Sequence, residues 1–343
     1  MTKHKKTDYA ALMRELKENG PGRLYMLWGE EDYLLKSFFS EIKKICIGDS
    51  AAEFNHHILD GTALDMKKLA ESIDSSPFFT ERTFIEVRGF NINACTDSQA
   101  ELLKDIVSDM PEYATLVFLL PAALTPDGRL SAVKTLKKFG RAVEFTAQPQ
   151  EFLITWIQRR FEALDKKISR HDCERLIFIS GDIMTRLIPE IEKIASSIPG
   201  DTVSAQDIEE IAHRIPEADV FEMTNRLSAR DFDSAARSLA ELLHSGEHPI
   251  KILAMTGFQM RRLYIAKLAQ DEGLGRDFLV ETCGISSYAA DKVLSAAKGF
   301  PSQALKEAVK LCALSDYRMK STSEDDKDIL KELFLKIAVA SLQ

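Results

Sequence analysis

Residues 75–88 read SSPFFTERTFIEVR. This stretch is predicted to contain the end of a helix, then a short connection, then a strand. Apolar residues recur at helical spacing through residues 63–75, which predicts a helix with one buried face. Pro77 lacks a backbone N–H donor and disfavours helical geometry in the residue before it, so the helix ends there. Beyond the connection, aromatic and β-branched residues predict a strand over 83–87.

The connection between this helix and this strand carries two adjacent phenylalanines, Phe78 and Phe79. A large apolar pair at the tip of a loop is the form that an anchor for a partner's pocket takes. The alternative is that one or both rings fold back and cover the edge of the sheet. The residues alone leave both interpretations open.

Strands and helices alternate on both sides of this stretch. The predicted strands are 23–28, 54–59, 83–87, 115–120 and 142–145, and the predicted helices between and before them are 5–19, 32–47, 63–75, 98–110 and 131–139. The run 115–120, TLVFLL, is continuously apolar, which is typical of a central parallel strand covered on both faces. The alternation predicts a five-stranded, doubly wound parallel α/β domain over residues 1–147.

Residues after 149 carry helical periodicity without strand signals. Four predicted helices form a small helical lid over residues 148–215: 151–164, 172–180, 184–197 and 205–215. The clearest predicted helices beyond Pro216 form a bundle over residues 216–343: 233–243, 249–270, 289–298, 302–317 and 325–342. The expected fold class is therefore α/β plus all-α, in three domains.

Composition restricts the classes of protein that fit. The chain has 343 residues, 45% of them hydrophobic, and no run that approaches about 18 apolar residues, so no membrane span is expected. The basic, then amphipathic N-terminus lacks the apolar core of a signal peptide, which indicates a cytoplasmic protein. The five scattered cysteines argue against a disulfide framework or a zinc site, and the net charge of −8 gives no sign of a globally basic nucleic-acid binder.

The turn after the first predicted strand is where a phosphate-binding loop for a nucleotide would lie. A phosphate-binding loop needs glycines, a lysine and a hydroxyl, whereas this turn reads Gly29, Glu30, Glu31, Asp32. Three carboxylates there would repel a triphosphate by about 1–4 kcal/mol per charge pair. The third strand carries Glu86 without an adjacent carboxylate to share a magnesium ion. The sequence predicts no ATP turnover.

Other catalytic and metal-binding patterns are missing as well. His56 and His57 are adjacent on a predicted strand, so their side chains point to opposite faces and cannot chelate one ion. The chain contains neither G-x-S-x-G nor H-E-x-x-H. We expect no catalytic residues, no metal site and no cofactor.

Four stretches together resemble the delta subunit of the bacterial DNA polymerase III clamp loader. Residues 25–35 are similar to that family's strand, Gly-Glu-Glu and helix opening, and residues 76–82 match its two large apolar residues followed by an arginine before a strand. Residues 249–263 look like its collar helix, and residues 314–333 are similar to its C-terminal helical hairpin. The resemblance covers essentially the whole chain.

The resemblance implies an AAA+-like, three-domain protein without a functional ATP site. Such a subunit binds the beta sliding clamp and opens its ring, or holds it open, for loading on primed DNA. The collar, residues 216–343, would join the motor (gamma/tau) subunits and the delta-prime subunit, and the primed DNA would be met through the assembled complex. No membrane partner is implied.

The resemblance also assigns a clamp-binding site. Phe78 and Phe79 match the two apolar residues that enter the clamp's hydrophobic pocket, with Ser75 and Ser76 against the clamp. Pro77 departs from the family's pattern and stiffens the approach to the pair.

Three alternatives stay open at the level of sequence. A motor-type subunit should carry a phosphate loop and cysteine zinc ligands, and a delta-prime subunit should carry a Ser-Arg-Cys motif, none of which is present. The second alternative is a nucleotide-dependent enzyme with a divergent loop. The third is a DNA-binding scaffold.

Overall fold

The computed structural model describes residues 8–48 and 52–342, and the chain divides into two compact units. The first, here called the sheet unit, comprises residues up to 148 together with 183–185. The second, the helical unit, comprises residues 149–182 and those from 186 onward. The further division of the helical half into a lid over 148–215 and a collar over 216–343 stays a prediction.

The sheet unit is built on a parallel sheet that, in the described residues, has five strands. They are β1 Leu24–Gly29, β2 His56–Asp60, β3 Thr83–Arg88, β4 Ala114–Leu119 and β5 Arg141–Phe145. Their order is β2-β3-β4-β1-β5, so β2 and β5 are the edges, and β4, which is largely buried and apolar except for Thr115, lies in the middle. The predicted parallel α/β sheet is confirmed.

Helices cover both faces of this sheet. They are α1 Tyr9–Asn19, α2 Asp32–Ile47, α3 Ala52–Asn55, α4 Met66–Asp74, α5 Asp97–Ser108 and α6 Ser131–Phe139. On one face, Phe38 and Phe39 of α2 bring their rings to 5.9 Å from Phe145 and 5.5 Å from Phe84. On the other face, α4, α5 and α6 share a buried apolar cluster with the strands. This two-sided packing is why β4 is apolar on both faces.

Two predicted boundaries on this unit are wrong. Residues 54 and 55 are predicted to open the second strand, but they end the short helix α3, and β2 begins at His56. The helix predicted over 63–75 begins at Met66, because the Asp65 side chain accepts the backbone N–H groups of Lys67 and Lys68 and so caps α4 there. The part of the predicted helix 5–19 that precedes residue 8 lies outside the described residues.

The helical unit contains the helices predicted for it, with two more over residues 216–228 and 276–283. Two predicted ends are wrong: the helix predicted over 205–215 ends at Ile211, because the backbone of Ala212 is extended, and the helix predicted over 302–317 continues to Ser321. The helices are α7 Gln150–Glu162, α8 Arg170–Ser180, α9 Met184–Ser197, α10 Ala205–Ile211, α11 Pro216–Ser228, α12 Phe232–His244, α13 Pro249–Asp271, α14 Arg276–Cys283, α15 Ser287–Ala297, α16 Ser302–Ser321 and α17 Asp326–Ala340. The first residues of α9 belong to the sheet unit. The buried stripe of α17 packs into one apolar cluster with α11, α13 and α16.

The expectation that strands stop after residue 149 is wrong in one place. The two-residue strands β6, Lys167–Ile168, and β7, Thr202–Val203, pair in parallel within the helical unit. Across the part of the chain that the structure describes, no helix combines the length and apolar character needed to cross a membrane.

Candidate protein-interaction site

The loop between α4 and β3 is tied to the sheet unit at both ends. At its start, the Tyr113 hydroxyl donates a hydrogen bond to the Asp74 carbonyl at 3.1 Å, and the Thr83 hydroxyl donates to the Ser75 carbonyl at 2.9 Å. At its end, Arg82 Nη1 donates to the Thr115 hydroxyl of β4 at 3.3 Å. Since both ends are held, the tip of the loop has a defined place on the surface.

Phe78 and Phe79 lie at this tip with their rings in solvent. The side chains are 54% and 90% exposed, and the rings meet edge to face with their centroids 4.2 Å apart. The interpretation in which both rings cover the sheet edge therefore does not describe this structure. Of the neighbouring residues predicted to belong to the site, Ser75 and Pro77 are half-buried and Ser76 is exposed.

Asn55, which no sequence pattern singles out, holds the backbone of Phe78. Its amide Nδ2 donates to the Phe78 carbonyl at 2.7 Å, and the Phe78 N–H donates to Asn55 Oδ1 at 2.6 Å. The Asn55 side chain is buried, at 1% exposure, although the loop that it holds is on the surface. A residue 23 positions earlier in the chain thus fixes the peptide that carries the first ring.

A third exposed aromatic residue lies beside the pair. Phe54 is 67% exposed, and its ring centroid is 5.7 Å from that of Phe78. We call Phe54, Phe78 and Phe79 the aromatic patch. The sequence signal that could have found Phe54 is weak, because a phenylalanine at the start of the run 54–59 is ordinarily assigned to the strand predicted there.

The backbone of the aromatic patch is also unusual. Phe79 has a φ of +60°, in the left-handed region that a non-glycine residue enters at a cost of about 1–2 kcal/mol. Such conformations persist where the surroundings hold them, and they cluster at binding sites. The arrangement presents the ring of Phe79 almost wholly to solvent rather than to the sheet.

The turn after β1 is short. Two residues, Glu30 and Glu31, separate the end of β1 from the start of α2. The Glu31 N–H donates to the Phe145 carbonyl at 3.0 Å, and its buried carboxylate accepts the N–H of Met184 at 3.0 Å. The backbone donor and the carboxylate that a phosphate would meet are thus engaged within the protein.

Glu86, the acidic residue on β3, is engaged on both carboxylate oxygens. His56 Nε2 lies 2.8 Å from Oε2, and Arg88 Nε donates to Oε1. Burial raises the pKa of the Glu86 carboxyl, but the hydrogen bonds from His56 and Arg88 outweigh it and hold the pKa below the usual 4.5. Within residues 8–48 and 52–342, no group of three potential metal ligands comes together.

Replacing Glu86 with glutamine is expected to lower the free energy of unfolding by about 1–2 kcal/mol at pH 7, because a buried charge-assisted hydrogen-bond network is weakened. A depressed pKa in the folded state means that the carboxylate stabilises the fold above pH 4.5 and that this contribution is lost as the pH falls through the folded-state value. The difference between Glu86→Gln and wild type should therefore shrink in urea titrations repeated below pH 4.5. If the difference in free energy of unfolding between Glu86→Gln and wild type stays constant as the pH falls below 4.5, the stabilising role of the Glu86 carboxylate is contradicted.

Comparison with models of known protein families identifies the family of this chain. One family model, described as DNA polymerase III, delta subunit, matches residues 25–148. A second, described as DNA polymerase III delta subunit, C-terminal domain, matches residues 217–337, so the two together account for well over half of the chain. The chain belongs to the DNA polymerase III delta subunit family. It is accordingly an accessory subunit of DNA polymerase III.

Full-length relatives agree with this membership. DNA polymerase III subunit delta of Bacillus subtilis is 24% identical over 330 residues, covering 94% of each chain. A probable DNA polymerase III subunit delta of Aquifex aeolicus is 21% identical over 322 residues, covering 90% of this chain and 89% of the relative. The delta-family similarity therefore extends over both units.

Comparison with solved structures gives matches to two kinds of protein. The Bacillus subtilis DNA clamp loader delta protein YqeN matches with a TM-score of 0.49 and 21% identity, over 96% of this chain and 99% of that one. A variant of RuvB from Thermotoga maritima matches with a TM-score of 0.41 and 15% identity, over 84% of each chain.

Proposed function

We propose that this delta-family chain is a clamp-loader subunit that binds the beta sliding clamp and opens its ring, or holds it open, for loading on primed DNA. The observation that carries the proposal is the pair of exposed rings, Phe78 and Phe79, on a loop whose backbone is fixed from the protein interior. Ser75, Ser76 and Pro77 would contact the clamp beside them. This role would place the protein in the cytoplasm.

The energetics of this loop suit an anchor. Burying two phenylalanine side chains contributes roughly 3–6 kcal/mol before the costs of ordering are subtracted. Ordering costs are reduced when the binding segment is already held in one conformation, and Asn55 holds the Phe78 peptide from both its N–H and its carbonyl. A modest interface centred on two such rings can therefore be specific and tight.

The direct test is binding of the purified full-length chain to the beta clamp of its own organism, by surface plasmon resonance, with ring opening followed by a fluorophore pair across one clamp interface. We expect saturable binding and a fall in energy transfer between the fluorophores. A chain that is folded and does not bind the clamp at micromolar concentration would overturn the proposal.

We further propose that this chain neither binds nor hydrolyses ATP and that its partners supply that activity. The two-residue turn after β1 and the buried Glu31 carboxylate support this. Calorimetric titration with ATP and Mg²⁺ to about 1 mM is expected to give no saturable heat, because the position of the phosphates is closed and negatively charged. Saturable binding there would instead favour a nucleotide-dependent enzyme with a divergent loop.

The partners that hydrolyse ATP would be the motor (gamma/tau) subunits, joined with delta-prime through the collar. Exposed apolar side chains on two helices of the helical unit support an assembly surface there, namely Phe258 on α13 and Leu314 and Tyr317 on α16. Within an assembled loader, these side chains would be covered by a neighbouring subunit.

A further inference from the structure

The short helix α3 supplies two consecutive residues that both face the loop carrying the phenylalanine pair. Phe54 contacts the ring of Phe78 on the surface, and Asn55 holds the peptide of Phe78 from the interior. We propose that α3 is a second component of the clamp-binding surface, in which Phe54 contacts the clamp and Asn55 is a positioning residue for Phe78. The proposal rests on the proposed function and assigns it residues outside the loop.

The case for Phe54 is its exposure and its continuity with the pair. The ring is 67% exposed, and the centroid distances of 5.7 Å to Phe78 and 4.2 Å from Phe78 to Phe79 make one unbroken aromatic surface. An exposed ring beside an anchor is covered when the anchor enters a pocket, because interface residues around a central contact exclude water from it. The partner that covers the aromatic patch is therefore the same clamp whose pocket binds Phe78.

The case for Asn55 is the unusual backbone that it stabilises. Phe79 adopts a left-handed conformation immediately after the residue whose N–H and carbonyl Asn55 satisfies. Without these two hydrogen bonds, solvated alternatives with ordinary backbone angles compete with the conformation seen at the tip of the loop. Asn55 thus sets the population of the conformation in which both rings project, and a lower population lowers the apparent affinity in proportion.

The test of Phe54 compares it with a matched aromatic residue elsewhere. In full-length protein, Phe54→Ala is expected to weaken binding to the clamp about tenfold. Phe278→Ala, which removes an exposed ring (37%) from α14 in the helical unit, should change the dissociation constant less than about twofold. Equal affinities for Phe54→Ala and wild type, with binding lost in the Phe78→Ala/Phe79→Ala variant, overturn the role of Phe54 and leave the proposed function standing.

The test of Asn55 needs a measurement that a general loss of stability would not change. Asn55→Ala should weaken clamp binding about tenfold, and it should speed hydrogen exchange of the Phe78 amide while exchange of β3 amides stays as in wild type. In a Phe78→Ala/Phe79→Ala background, Asn55→Ala should cost less than about twofold, because its effect acts through the two rings that are gone. The same loss in both backgrounds, or unchanged exchange at Phe78, overturns the positioning role. Failure of wild type to bind the clamp would overturn both the proposed function and this inference.

Discussion

Replacing Phe78 and Phe79 together by alanine should weaken binding to the beta clamp at least a hundredfold, with thermal unfolding of the chain unchanged. A hundredfold loss corresponds to about 2.8 kcal/mol, which is just below the roughly 3–6 kcal/mol that burying two phenylalanine rings contributes before ordering costs are subtracted. The rings are 54% and 90% exposed in the free chain, so the fold loses little when they are removed. Alanine at position 79 keeps the left-handed backbone and its cost, so no compensating gain in stability is expected.

The control for this variant removes two exposed aromatic side chains from the helical unit instead. Phe258→Ala/Tyr317→Ala takes away rings of 58% and 66% exposure, and its clamp affinity should match wild type in the isolated chain. Both variants are compared by surface plasmon resonance with melting temperatures measured in parallel. If the two double variants bind equally well, the family membership stands and the loop is not the binding site.

The parts of the fold that could be predicted from the sequence are those with a local periodic signal. The bounds of α2, α6 and α9 follow from apolar spacing together with a strong stop, such as Gly48 after α2, whose φ of +60° favours glycine. The apolar run of β4 likewise identifies the middle strand of the sheet. In each case, the information lies within about 15 residues of the element itself.

The parts that could not be predicted depend on contacts distant in sequence or on elements too short to have a period. Asn55 is predicted as part of a strand, since nothing in its neighbours shows that its amide will meet the peptide of Phe78. The strands β6 and β7 have two residues each, which is too short for any alternation to be visible. Exposure of the phenylalanine pair stays open in the sequence for the same reason, because neither the hydrogen bonds between Asn55 and Phe78 nor the positive φ of Phe79 has a local sequence signal.

Replacing Gly29 with alanine should lower the free energy of unfolding of the sheet unit by at least about 3 kcal/mol. A Cβ atom at this position would lie 2.1 Å from the Phe145 carbonyl oxygen and 2.7 Å from its carbonyl carbon and nitrogen. These are backbone atoms of β5, which pairs with β1 at this register, so the clash is relieved only by moving one strand away from the other. The φ of +132° at Gly29 adds strain for any side chain.

The matched variant is Gly20→Ala, in the same unit. Gly20 has a φ of +71°, but a methyl group added there would have no heavy atom within 4 Å, so the replacement should cost only about 1 kcal/mol for the backbone conformation. Trp28, buried on β1 next to Gly29, reports unfolding of the sheet unit by fluorescence once Trp156 is replaced by phenylalanine. Equal losses in the two glycine variants would contradict the packing argument. The larger loss at Gly29 would show that β1 and β5 lie too close together at this register to admit a side chain between them.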